Sequence, residues 1–389
     1  MNSIRSLSQY TDKRGTIIKY LAYCVAIMPL TSSVNTLLPV SLNRIVVLFI
    51  FLLSFSYIYV FNNCKKKYWK LLLWMLFVGV YSTVYSMGTI SENVEDFIYF
   101  SMALLVFLLA GNKSFCSRLI EELKNRKNLI RAIILLTYLI NLVAVILKND
   151  TYEVTGGFKG YTVISHAIAT IFVYEMALML AYGEKSFIWY VLPLYFISIS
   201  RARTFLAPAT VILFLYVYLN YQKKTKRYII YIIAIAAFVI VFPHTSMYAK
   251  FIATSQGNYY GGIMNSRDIF WKADINDYIS EYSIIEKILG KGFSWVRTIN
   301  QRVTGGRIWA HNDFINVLLS VGIVGEFIYF GLFWGILSKI DIKLNKYLLL
   351  VYALLPAFFN GLYDYFPLVL SFVFIAHLDQ KEYRKNKNE

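Results

Sequence analysis

Charge is what this sequence has least of. Only 16% of its residues are Asp, Glu, Lys or Arg, against about 25% in soluble globular domains. Together with 58% hydrophobic residues and a mean hydropathy of +0.53, that scarcity argues against an ordinary water-soluble fold. Cysteine is also scarce. Cys24, Cys64 and Cys116 are odd in number and scattered, which excludes a disulfide framework or a cysteine metal pattern. No Walker loop, zinc-ligand spacing or dinucleotide fingerprint is present, so no nucleotide, metal or other cofactor is expected. There is no internal repeat and no low-complexity linker.

What is there is a succession of apolar runs. A bilayer core calls for about 20 apolar residues per helix. Runs ended by charge or loop signals cover 16–34, 42–61, 70–88, 97–111, 131–148, 162–182, 186–200, 204–221, 228–243, 312–337, 346–360 and 365–378. The expected fold class is therefore an all-α polytopic membrane protein with about twelve spans. The 97–111 and 186–200 runs are short for a full crossing. The polar stretch Met1 to Gly15 leads into the first run, which reads as an uncleaved helix rather than a signal peptide.

Orientation is an independent test. With the N-terminus inside, the inner loops contain Lys65-Lys66-Lys67, Lys113 to Arg131, Lys223 to Arg227, Lys339 to Lys346 and the tail Lys381 to Lys387, all basic. The outer loops Ser91 to Asp96 and Asn149 to Gly160 are acidic or nearly uncharged. This is the positive-inside pattern, and it places both termini in the cytoplasm. It also explains the net charge of +17 without nucleic acid, because the basic residues orient helices and form no phosphate-tracking patch. The chain divides into spans one to nine (1–243), one long, partly helical outer loop (244–310), and the last three spans with a basic tail (311–389). Long translocated loops escape the charge rule, so Arg267, Arg297, Arg302 and Arg307 are permitted there.

Two glycines, Gly322 and Gly325, lie just beyond His311 and Asn312, with nine residues between Asn312 and Gly322. Glycines three apart permit close approach of a neighbouring helix. An imidazole at the membrane boundary can exchange a proton near neutral pH. On spacing alone this is equally an interfacial histidine on a helix cap beside a packing motif.

The stretch resembles the shared signature of O-antigen ligases and Wzy-type O-antigen polymerases: His, a small or amide residue, nine residues, then Gly-x-x-Gly. Around it, Asn265-Ser266-Arg267-Asp268-Ile269-Phe270-Trp271 resembles the start of the amphipathic helix in that family's large periplasmic loop. Leu289-Gly290-Lys291-Gly292-Phe293 resembles the glycine turn that follows. Ser200-Arg201-Ala202-Arg203-Thr204 resembles the Ser/Thr-Arg-Ala element before the loop. Together these cover roughly residues 155–330.

The resemblance implies a metal-independent inner-membrane glycosyltransferase with its site facing the periplasm. Its donor would be an undecaprenyl-pyrophosphate-linked oligosaccharide. Its acceptor would be a lipid-linked repeat unit for a polymerase, or lipid A core for a ligase. Membrane lipids and a chain-length regulator are the further partners, and nucleic acid is not one. Arginine forks match phosphate oxygens, which makes Arg201 the expected catalytic clamp on the leaving pyrophosphate, with His311 as general base. Arg203, Arg267, Asn312, His166, Lys159, Arg297, Arg302 and Arg307 are expected substrate contacts. For the loop arginines a solvated or headgroup-facing role stays open. Glu175 and Glu326, within spans, are expected to line a cavity or pair inside the bundle. His244 and His377 follow no pattern, and the 32 Tyr and 29 Phe read as interface belts and packing. A non-catalytic flippase or transporter is the competing class; a repeat would favour it, and none is found.

Overall fold

The computed structural model describes residues 2–38, 42–60, 66–85, 89–148, 151–154, 158–161, 166–200, 202–221, 223–241, 267–340 and 343–376, with the single positions 243, 248 and 378. Apolar runs of this length can satisfy their backbone N–H and C=O groups in lipid only as helices or closed barrels, and helices form. The first half contains α1 (Asn2–Leu37), α2 (Leu42–Phe55) continued by a π-helical turn Ser56–Val60, α3 (Lys66–Tyr85), α4 (Ile90–Ala110), α5 (Lys113–Lys124) and α6 (Lys127–Lys148). Next come α7 (His166–Tyr182), α8 (Ile188–Ile199), α9 (Leu206–Asn220) and α10 (Lys224–Val241). In the second half are α11 (Arg267–Ser280), α12 (Ile284–Leu289), α13 (Phe293–Thr304), α14 (Asp313–Leu337), α15 (Lys343–Phe359) and α16 (Phe366–Ile375). Each expected apolar run coincides with a helix.

Among the described residues, five stretches are long and apolar enough to cross a membrane: Lys13–Leu37, Leu42–Val60, Ile90–Ala110, Lys127–Leu147 and Asp313–Leu337. Six apolar helices of 10–17 residues accompany them, among them Ile188–Ile199, short as its run anticipates. Several helices carry an apolar outer face. Ile229, Ile232, Ile233 and Val239 on α10, and Leu73, Leu76 and Val80 on α3, are all exposed. So much exposed aliphatic surface suits contact with lipid rather than water. In contrast α7 is buried on every side from Ile168 to Tyr182, which makes it a central helix. It packs against α1, α8 and α16.

Three local expectations change. The run at 97–111 is not short, because α4 starts at Ile90 and takes in the acidic stretch expected as an outer loop. Asn93 and Asp96 are buried there and bonded to α13, as described below. The inner segment after Lys113 is helical rather than looped: α5 buries Phe115, Cys116, Leu119, Ile120 and Leu123, one face at helical spacing, and Asn112 caps it by accepting from the Phe115 N–H at 3.2 Å. The all-α reading has one departure, an antiparallel hairpin of β1 (Thr151–Val154) and β2 (Phe158–Tyr161), with Glu153 opposite Lys159. The described part of the 244–310 loop is largely helical, as expected.

Candidate functional site

The site is built at the entrance to α14. Asn312 caps the helix, its Oδ1 accepting from the Ile315 N–H at 3.3 Å. Asp313, fully buried, accepts from the Leu362 N–H at 2.9 Å, the Tyr363 N–H at 3.3 Å and the Tyr329 hydroxyl at 2.7 Å. Those bonds clamp the start of α14 to the turn between α15 and α16. Gly361 makes that turn possible. Its φ is +88°, and a Cβ there would stand 2.2 Å from the Trp309 ring.

His311 directly precedes the cap. Its φ of 51° is left-handed, the one non-glycine case among the described residues, a conformation that costs on the order of 1–3 kcal/mol and is concentrated at functional sites. The strain turns the imidazole inward between Trp309, with ring centroids 4.4 Å apart, and Phe270, at 6.2 Å. The ring bonds to the Asn360 backbone, while Nδ1 is buried with no partner. A neutral imidazole has one donor and one acceptor nitrogen. With the donor on the Asn360 carbonyl, Nδ1 is left as an open acceptor. Burial, then the positive charges of Arg267 and His166, lower its pKa from 6.5 to about 3, so the ring is neutral.

Asn360 is the hub. Its Oδ1 accepts from Arg267 Nη2 at 3.2 Å, and its Nδ2 donates to the Tyr365 hydroxyl at 3.1 Å. Tyr365 packs on Phe205 at 5.1 Å and Trp309 at 6.1 Å. Phe205 in turn meets His166 at 6.1 Å. Arg267, His166, His311 and Asn312 therefore gather in one place, from the starts of α11 and α7 and the entrance to α14. Beside them, burial and the nearby Asp96 and Asp313 push the Asp364 carboxyl well above its ordinary range.

The loop joins α14 one step deeper. Gly322 has φ 69° and ψ −172°, which breaks the helix and frees carbonyls from their i+4 donors. Leu319 O accepts instead from the Lys291 N–H at 2.9 Å and the Tyr282 hydroxyl at 3.1 Å, and Ser320 O from the Gly292 N–H at 3.0 Å. A Cβ on Gly322 would lie 2.2 Å from Ile288 O, and one on Gly290 2.2 Å from Ser320 O. The glycine pair expected to admit a neighbouring helix thus admits the loop backbone at Gly322, while Gly325 faces its own Val321 and, at 3.6 Å, Trp74. Asn93 of α4 accepts from the Phe293 N–H at 2.8 Å and secures the turn from the other side.

The remaining expected residues are placed as follows. Arg297 forms a two-pronged pair with Asp96 at 2.9 and 2.7 Å. Arg307 pairs with Glu92 at 3.0 and 3.1 Å and with Gln301 at 3.0 Å. Both guanidinium groups are thus held by α4, at the edge of the site. Arg302 is exposed over the Trp295 ring at 5.1 Å, away from His311. Arg201 lies outside the described residues, as do His244 and His377; the backbone of Lys159 is described on β2 and that of Arg203 on the 3-10 turn Arg203–Phe205, but not their side chains. Among the described residues no group of three or more His, Cys, Asp or Glu is arranged to hold a metal. Sequence reasoning missed Asn360, Trp309 and Tyr365. The Asn360-Gly361 dipeptide closing an apolar run is a turn signal that marks the hub's position without its role.

Comparison with family models, with curated proteins and with solved structures gives no match for this chain.

Proposed function

We propose that the protein is a membrane glycosyltransferase of the O-antigen polymerase type, which transfers an undecaprenyl-pyrophosphate-linked glycan to the sugar of another lipid-linked repeat unit. In this reading about twelve helices cross the inner membrane, both termini are cytoplasmic, and the 244–310 loop with its site faces the periplasm. One observation carries the proposal. Arg267 and His311 share Asn360, and Gly290 and Gly322 share one crossing, both along the first part of α14. Three of the sequence elements that resemble the family, at 265–271, 289–293 and 308–325, pack along that stretch.

The chemistry suits the arrangement. An acceptor hydroxyl attacks the anomeric carbon of the donor; the new carbon–oxygen bond forms as the bond to the phosphate oxygen breaks, and undecaprenyl pyrophosphate leaves with the electron pair. The hydroxyl proton goes to Nδ1 of His311, the unpartnered acceptor of that ring, since a base must come within hydrogen-bond reach of the proton it takes. Negative charge builds on the pyrophosphate, and a preset cation there lowers the barrier. Arg267 supplies one such cation, and Arg201, Arg203, Lys159 and His166 are assigned to the same anion. The arriving pyrophosphate also raises the basicity of His311, which burial and then the positive charges of Arg267 and His166 depress, by offsetting those charges.

The test is complementation in a strain lacking the gene, reading the lipopolysaccharide ladder for wild type, His311→Ala and Arg267→Ala expressed at equal levels. Restoration by wild type alone supports the polymerase. A strain with no glycan on its core and long lipid-linked chains points instead to the ligase. Full activity of both variants contradicts catalysis at this site.

A further inference from the structure

A second polar constellation lies in the interior of the bundle, apart from the His311 site. Glu175, in the middle of α7, has no exposed surface. A carboxylate at that depth ordinarily has a basic partner, because an unpaired charge in an apolar interior is very costly. Here, among the described residues, no charged side chain contributes to its surroundings; the hydroxyl groups of Thr137 and Tyr138 on α6 border it. Neither carboxylate oxygen has a hydrogen-bond donor.

Of the donors nearby, the Tyr138 hydroxyl has no other partner, and the rest are committed elsewhere. The Thr137 hydroxyl donates to Ile133 O at 3.0 Å. One turn along the same face of α6, Asn141 donates from Nδ2 to Ser33 Oγ of α1 at 2.7 Å and to Thr137 O at 2.9 Å. The carbonyl partner fixes the amide's orientation, since only the nitrogen can donate to it. Asn141 Oδ1, also fully buried, is thereby left without a partner. The neighbouring Tyr174 hydroxyl is drawn away to Val25 O at 2.7 Å. What remains buried along α1, α6 and α7 is oxygen with lone pairs: both oxygens of Glu175, Asn141 Oδ1 and the hydroxyl oxygens of Thr137, Tyr138 and Ser33.

We propose that α1, α6 and α7 form a buried binding site for a monovalent alkali cation, centred on Glu175 and completed by Asn141, Thr137 and Ser33. Hard oxygen donors suit alkali and alkaline-earth ions, and charge count decides between them. One carboxylate, with no second acid in the set, balances a single positive charge and leaves a divalent ion uncompensated. The bound ion would supply the counter-charge that no side chain provides, tying three helices together at the centre of the fold. The site is independent of the glycosyl-transfer reading and stands or falls separately.

The test uses the full-length protein purified in nanodiscs, with Na+ as the probe. Radiolabelled Na+ binding and the unfolding temperature are measured in NaCl against choline chloride at equal ionic strength, with K+ in a further arm. Saturable binding near one ion per chain is expected, with a rise in unfolding temperature that choline does not reproduce. Glu175→Gln should weaken binding at least tenfold, and Asn141→Ala, which keeps the carboxylate, should weaken it by a smaller factor. Equal behaviour in Na+, K+ and choline would overturn the proposal. So would a Glu175→Gln protein that binds like wild type, or an infrared signature of a protonated carboxyl that persists in saturating Na+ and vanishes in Glu175→Gln. Should Glu175→Gln fail to fold, the wild-type binding curve and Asn141→Ala decide the matter.

Discussion

Gly290 and Gly322 occupy each other's side-chain space: a Cβ on either would stand 2.2 Å from a backbone oxygen of the other's segment. The helix break at Gly322 and the loop crossing at Gly290 are thus one structural event. The carbonyl groups exposed by the break receive the amide groups of the crossing loop, so neither feature is stable without its counterpart.

Replacing either glycine by alanine should be severely destabilising. Both have positive φ, at 69° and 81°, and both would clash with backbone that cannot yield. Strain and overpacking together suggest a loss on the order of 3 kcal/mol. Gly305, with φ +76° and open space around it, is the control; Gly305→Ala should cost only the strain, on the order of 1 kcal/mol. Thermal unfolding of the purified variants checks the contrast, and equal losses at all three positions would contradict it.

Arg297 and Asp96 form a largely buried pair at 2.7 Å. Removing one partner strands the other charge, at a cost of about 3–5 kcal/mol. Arg297→Ala should therefore lower the unfolding temperature markedly, and pairing it with Asp96→Asn should recover part of the loss. Arg302→Ala, at an exposed cation–π contact, should shift it little.

His311 should remain neutral well into acid. Its pKa is lowered from 6.5 to about 3 by burial and the positive charges of Arg267 and His166. Between those values the unfolded chain binds a proton that the folded protein does not. Stability contributed by this group is therefore present above pH 6.5, falls as the pH drops, and levels off near pH 3. Nitrogen NMR of labelled histidine in nanodiscs should show a neutral ring at about pH 5, below the ordinary histidine pKa. A protonated ring at that pH would contradict the buried, Arg267-facing placement.

Much of this was legible in the sequence, and the part that was not has a physical cause. Hydrophobic runs and basic loops locate the helices, because length and polarity are set by the bilayer. They misplace the start of α4, since Asn93 and Asp96 read as loop until Phe293 and Arg297, about 200 positions away, are known to satisfy them. The resemblance draws on stretches that hold Arg267, Gly290, His311 and Gly322, and the structure links Arg267 with His311 through Asn360 and Gly290 with Gly322. The resemblance reveals nothing of Asn360, because an Asn-Gly after an apolar run looks like any turn. It favours Arg267 over Arg297 and Arg307 by motif, but gives no sign of the acids on a different helix that hold those two.

Asn360 should behave as a positioning residue. Asn360→Ala removes the acceptor for Arg267 and the donor to Tyr365 while leaving the backbone bond to His311. Transfer activity should fall roughly 10- to 100-fold, the scale on which displaced catalytic groups act. Asn360→Asp places a negative charge beside the ring and should raise the His311 pKa. A variant with unchanged activity and an unchanged histidine titration would show that the hub is only structural.

The most direct measurement is transfer by the purified protein itself. Nanodiscs holding the full chain are given undecaprenyl-pyrophosphate-linked repeat units with labelled sugar, without nucleotide and with chelator present. Lengthened lipid-linked glycan should accumulate, with one undecaprenyl pyrophosphate released per linkage, and both should be lost in His311→Ala and Arg267→Ala proteins that unfold at the wild-type temperature. Unchanged substrate on the wild-type protein, or the same products from the His311→Ala protein, would contradict the assignment.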